Sequence, residues 1–100
     1  MGIADVQLDE KIEQKVTVPR RYKVIVLNDD VTPIEFVISV MTAVFRHNVE
    51  TATELTMQIH HKGSAIAGVY SYEIAEQKTA EATQVARDSG FPLKLKVEQE

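Results

Sequence analysis

Apolar and polar positions fall into blocks whose period changes along the chain. Residues 22–27, Tyr-Lys-Val-Ile-Val-Leu, are mostly strand formers and stop at Asn28-Asp29-Asp30, which predicts a strand closed by a turn. Phe36, Val37, Val40, Met41, Val44 and Phe45 then recur at helical spacing, which predicts a helix over 33–46. Thr32-Pro33-Ile34-Glu35 fits a capping box with proline at the first helical position. Asn48 is placed to cap a second helix over 49–61, ended by Gly63, with Ala52, Leu55, Thr56 and Ile59 along one face. A second strand follows over 64–70. Ser71 begins a third helix reaching about residue 89, and Gly90 and Pro92 mark its end. Residues 93–98 alternate cleanly, the pattern of a strand with one wet face. The order β-α-α-β-α-β predicts an α+β fold, with helices on one face of a small sheet.

Residues 1–20 show no such period. Ile3, Val6, Leu8, Ile12 and Val16 are scattered among polar and charged residues, so a flexible N-terminal extension is expected, with transient helix over 8–15, ahead of a core domain over 21–100. One hundred residues with 44% apolar content suit one small domain of modest stability. The net charge of −4 leaves no basic stripe to neutralise phosphates, which argues against a nucleic-acid partner. The absence of cysteine excludes disulfides, thiol catalysis and zinc-thiolate sites. No apolar run approaches membrane-spanning length, and the N-terminal residues lack the pattern of a secretory signal. A cytoplasmic monomer without membrane association is the resulting expectation.

The candidate chemistry centres on the turn. If the second helix packs beside it, Asn28, Asp29 and His60 offer an amide oxygen, a carboxylate and an imidazole, acceptors that suit the three donors of a primary ammonium. His60-His61 and Asp29-Asp30 also raise a metal, but adjacent helical histidines point about 100° apart and rarely share an ion. No metal or other cofactor is expected. Paired carboxylates can act as acid and base, but no nucleophile accompanies them, so an enzyme is not expected. His47 is expected to be exposed between the first two helices. By spacing alone Ile34, Val37, Ile59 and Leu93 read as core, and Glu73, Glu76 and Lys78 as a solvated helix face.

The run Arg21-Tyr22-Lys23-Val24-Ile25-Val26-Leu27-Asn28-Asp29-Asp30, followed by Thr32-Pro33-Ile34-Glu35-Phe36-Val37, resembles the signature of the Clp protease adaptor family ClpS. The likeness continues through Ala52-Thr53, Ile59-His60, Gly63, Gly68-Val69, Glu73-Ile74-Ala75-Glu76-Gln77-Lys78 and Pro92-Leu93. It implies a three-stranded antiparallel sheet with three helices. It also implies an adaptor that binds N-degrons, proteins whose first residue is Phe, Tyr, Trp or Leu, and delivers them to the AAA+ unfoldase of a Clp protease, of the ClpA or ClpC type. On that resemblance Asn28, Asp29 and His60 bind the substrate's α-amino group. Asp30, Thr32, Ile34, Val37, Thr56, Ile59 and Leu93 surround its side chain, Glu73 and Lys78 dock on the unfoldase, and the N-terminal extension is offered to the unfoldase pore. The alternative is an interaction module that docks on a AAA+ partner with altered or lost N-degron binding. The family commonly has methionine where this chain has Ile34 and Thr56, and threonine where it has Gln77. Stiff, β-branched Ile34 is expected to reject first residues branched at the β-carbon, and the smaller Thr56 to favour large aromatics over Leu.

Overall fold

The computed structural model describes residues 18–100. Apart from Val18, Pro19 and Arg20, the expected extension lies outside the described residues. The elements run β1 Tyr22–Leu27, α1 Ile34–Ala43, α2 Val49–Lys62, β2 Ser64–Tyr70, α3 Tyr72–Asp88 and β3 Lys94–Gln99, the order the periodicity predicts. The strands form one antiparallel sheet in the order β2-β1-β3.

Central β1 is the most apolar strand because it has a neighbour on each side. Val24 and Val26 are fully buried, and opposite them in β3 stand Val97 and Leu95. On the other face Lys23 pairs with Glu98 and Ile25 with Lys96, which accounts for the alternation of β3. Between Val24 and Ile25 the ladder to β2 shifts by one residue, passing from Gly68 to Ile66 and leaving Ala67 as a bulge. The Tyr70 ring folds back over Gly68, where a Cβ would displace it.

One apolar cluster joins Val24 and Val26 to Val37, Val40 and Met41 of α1, Ala52 and Ile59 of α2, and Ala75, Ala82 and Ala86 of α3. The α3 contacts are all alanine, so this helix lies close on the sheet. The helix ends follow local chemistry. Asn48 accepts from the Thr51 N–H at 2.8 Å, Ser71 accepts from the Ile74 N–H at 3.4 Å, and Gly63 takes the left-handed conformation after α2 with φ 95°.

The start and end of α1 differ from the expectation. Pro33 is the N-cap residue, extended at φ −67° and ψ 148°, and no side chain caps the helix. The Thr32 hydroxyl donates instead to the Asp29 carboxylate, a stronger, charged acceptor. The helix also stops at Ala43 rather than 46. Arg46 adopts φ 64°, and the His47 N–H bonds to the Met41 carbonyl, reversing the chain. Val44 and Phe45 carry the apolar period past the helix because they are buried in the turn itself. His47 is half-buried rather than exposed, and its Nε2 hydrogen-bonds the carbonyl of the bulged Ala67. Strand β3 begins at Lys94, since the Leu93 carbonyl is taken by the Arg87 guanidinium at 2.9 Å.

Candidate functional site

The turn after β1 is built around one carboxylate. Asp29 Oδ1 accepts the Val31 N–H at 2.8 Å and the Thr32 N–H at 2.7 Å, and Oδ2 accepts the Thr32 hydroxyl at 2.8 Å. This is the local bonding that makes aspartate a turn residue. Partial burial pushes its pKa up. The bonds from Thr32 and Val31, with the positive charge of Arg87, outweigh that effect and hold the carboxyl below its ordinary value, so it is ionised at neutral pH. A carboxylate offers about four lone-pair sites, and three are used here, so one remains for a ligand.

The turn is fastened to α2 by the Asn28 N–H, which donates to the Gly63 carbonyl at 2.9 Å. That bond brings the end of α2 alongside the turn, and His60 in its last helical turn comes with it. The result is a cavity of about 460 Å³ lined by Asn28, Asp29, Asp30, Val31, Thr32, Pro33, Ile34, Val37, Thr56, Ile59 and His60. The convergence of Asn28, Asp29 and His60 therefore holds in space, although the whole of α1 separates them in sequence. His60 is exposed and stacks edge-on with His61, their ring centroids 5.1 Å apart. Val37, Thr56 and Ile59 are buried wall residues, whereas Ile34 is 37% exposed and lies on the cavity rather than in the core.

Leu93 stands apart from the other expected pocket residues. It is 1% exposed and does not line this cavity, but borders a much smaller void beside it, shared with Leu27, Asn28, Asp29, Thr32, Val37 and Ile59. The spacing does not reveal Val31 and Pro33 as lining residues. Their place in the same turn is the signal that points to them. Arg87 carries no local signal at all. It reaches the turn because its guanidinium grips the Phe91 and Leu93 carbonyls, each at 2.9 Å, while Phe91 packs edge-on against Phe36 at the start of α1.

Across the molecule, Glu73 and Glu76 are exposed on α3 as expected. Lys78 departs from the solvated-face reading. It is half-buried, its Nζ donates to the Val44 carbonyl at 2.8 Å, and it lies over the Tyr70 ring at 5.5 Å. None of the described helices is long and apolar enough to cross a membrane.

The family model for the ATP-dependent Clp protease adaptor protein ClpS matches residues 17–96. This chain belongs to the ClpS family. ClpS adapters of two bacteria illustrate how closely the family matches it. The ClpS adapter of Leptothrix cholodnii is 45% identical over 89 residues, which covers 89% of this chain and 77% of the relative. That of Campylobacter jejuni serotype O:23/36 is 45% identical over 92 residues, covering 91% and 96%. Among solved structures, Agrobacterium tumefaciens ClpS2 bound to L-phenylalaninamide superposes with a TM-score of 0.80 at 46% identity, covering 83% of this chain and all of that one. As a ClpS protein, this chain is an adaptor of a Clp protease and not itself the protease.

Proposed function

We propose that this adaptor binds proteins by their first residue, Phe, Tyr, Trp or Leu, and delivers them to the AAA+ unfoldase of a Clp protease, of the ClpA or ClpC type. The observation that carries the reading is an ionised Asp29 with a free acceptor site, flanked by Asn28 and His60, on a cavity whose buried wall includes Val37, Thr56 and Ile59. A protein N-terminus presents both matching parts, an ammonium with three donors and an apolar side chain next to it. L-Phenylalaninamide, the ligand of A. tumefaciens ClpS2, has the same two parts and an amide where a peptide bond would begin.

In this reading Asn28, Asp29 and His60 receive the α-ammonium. Asp30, Ile34, Val37, Thr56 and Ile59 surround the side chain. Thr32 acts by holding Asp29, and Leu93 supports the wall from behind. His60 accepts from the ammonium only when its imidazole is neutral. Charge-assisted hydrogen bonds contribute roughly 1.5–3 kcal/mol each, and burial of a Leu or Phe side chain adds about 1.5–3 kcal/mol. Ordering costs offset part of this, leaving affinity near the roughly −8 kcal/mol of micromolar binding. An adaptor must release its cargo, and that range suits it. Glu73 and Lys78 meet the unfoldase, and residues 1–20 form an extension that enters its pore.

The test is binding of peptides identical except for their first residue, each with a free and an acetylated N-terminus. Free Phe, Tyr, Trp and Leu peptides bind, with aromatics ahead of Leu, and acetylation removes most of the affinity by removing the charge and its donors. Ile and Val peptides bind poorly because their branched β-carbon meets stiff Ile34 at the entrance. Equal binding of acetylated and free peptides would overturn the proposal.

A further inference from the structure

Thr56 carries a polar atom that nothing in the fold uses. The residue is 2% exposed in the middle of α2, it lines the cavity, and its Oγ1 has no hydrogen-bond partner. The other such hydroxyl among the described residues, on Thr79, belongs to α3 and does not line this cavity. Beside Thr56 the wall is Val37 and Ile59, which offer no polar side-chain atom. A helical threonine usually returns its hydroxyl to the carbonyl one turn earlier, here that of Ala52, and this one does not. A buried hydroxyl without a partner is costly, and a ligand that supplies a partner recovers that cost.

We propose that Thr56 is a specificity residue that reads a hydrogen-bonding group at the tip of the bound side chain, so that a first-residue tyrosine binds more tightly than a phenylalanine. The inference rests on the first-residue reading above. A phenol is both donor and acceptor, as is the threonine hydroxyl, so the two pair whichever way each rotor turns. Threonine in a helix divides between two side-chain rotamers, so bringing Oγ1 to the ligand costs little. A benzyl side chain fills the same space and leaves Oγ1 unpaired. The preference for Tyr over Phe is roughly three- to ten-fold, the value of one net hydrogen bond.

The experiment measures affinities of two peptides that differ by one oxygen, Tyr-starting and Phe-starting, for the full chain and for Thr56→Val and Thr56→Ser. Valine keeps the shape and removes the hydroxyl; serine keeps the hydroxyl. The expected result is a Tyr-to-Phe affinity ratio of roughly three to ten in wild type, retained in Thr56→Ser and falling to one or below in Thr56→Val. Thr56→Ala gives the same readout should the valine variant fold poorly. A ratio unchanged by removal of the hydroxyl, with both peptides still bound, overturns the role of Thr56 alone. Binding of neither peptide by wild type overturns the first-residue reading, and this inference with it.

Discussion

At the scale of single residues, Asp29 has two roles, which truncation to alanine does not separate. Its carboxylate holds the turn through Val31 and Thr32, and its charge faces the cavity. Asp29→Ala removes both, and is expected to cost about 1–2 kcal/mol of stability, as loss of a helix N-cap does. Asp29→Asn keeps an amide oxygen for the two N–H donors, removes the charge, and puts an amide donor where Oδ2 accepted the Thr32 hydroxyl, which can turn to accept from it. It should melt close to wild type yet bind free-N-terminus peptides far more weakly. Calorimetry and peptide titration of both variants check this, and an Asn variant that binds normally would show the charge to be dispensable. The same bonds give stability a pH dependence. The folded pKa lies below the ordinary value of about 3.9, so the stabilisation is fully present above that pH and is lost as pH falls through the folded value. Wild-type melting temperature should therefore decline on acidification below about pH 4, and Asp29→Asn should flatten that part of the curve.

At the scale of elements, α3 and the bulge of β2 fix how closely the layers approach. Ala75, Ala82 and Ala86 are fully buried against the sheet, so no room exists there for a larger side chain. Ala82→Leu is expected to destabilise by about 1–3 kcal/mol through overpacking, measured by chemical denaturation. It should leave peptide binding intact in the folded fraction, because α3 supplies no wall of the cavity. The bulge at Ala67 has a different consequence. It turns a backbone carbonyl out of the ladder toward His47, which ties the α1–α2 connection to β2. This pins α2, the helix that brings Thr56, Ile59 and His60 to the cavity.

At the scale of the whole molecule, the cavity and the exposed start of α3 are separate surfaces, as an adaptor joining two partners requires. Lys78 is a poor probe of the second surface, because its ammonium also bonds the Val44 carbonyl and covers Tyr70. Glu73 is exposed, and Glu73→Lys should weaken association with the unfoldase while leaving peptide affinity unchanged. In the proposed mechanism the N-terminal extension acts at a third point. Twenty extended residues reach roughly 65–70 Å, far enough to enter a ring pore from a peripheral docking site. Deleting residues 1–16 should preserve both binding steps and slow degradation of an N-degron substrate. A truncated adaptor that delivers at the full rate would remove the extension from the mechanism.

Much of this protein is determined locally and is legible in its sequence. Strand β1 ends where Asn28-Asp29-Asp30 begins. Helices α2 and α3 start at Asn48 and Ser71, and α2 ends at Gly63, because each of those residues satisfies backbone groups within its own few neighbours. The family signature is legible for the same reason, as ordered blocks along the chain. Tertiary structure decides the rest. The Thr32 hydroxyl has two possible uses, and the folded turn commits it to Asp29. Apolar period cannot distinguish Val44 and Phe45 in a helix from the same residues buried in a turn, nor Ile34 on a cavity from Ile34 in a core. His47, Lys78 and Arg87 look alike in sequence as surface polar residues. Each instead bonds a backbone carbonyl that only the fold brings within reach: Ala67, 20 residues away; Val44, 34 away; and Leu93, held by the chain reversal after α3. The cavity itself belongs to this second class, because its lining comes from the turn, α1 and α2, which β1–β2 pairing, extended by the bond from Asn28 to Gly63, brings together.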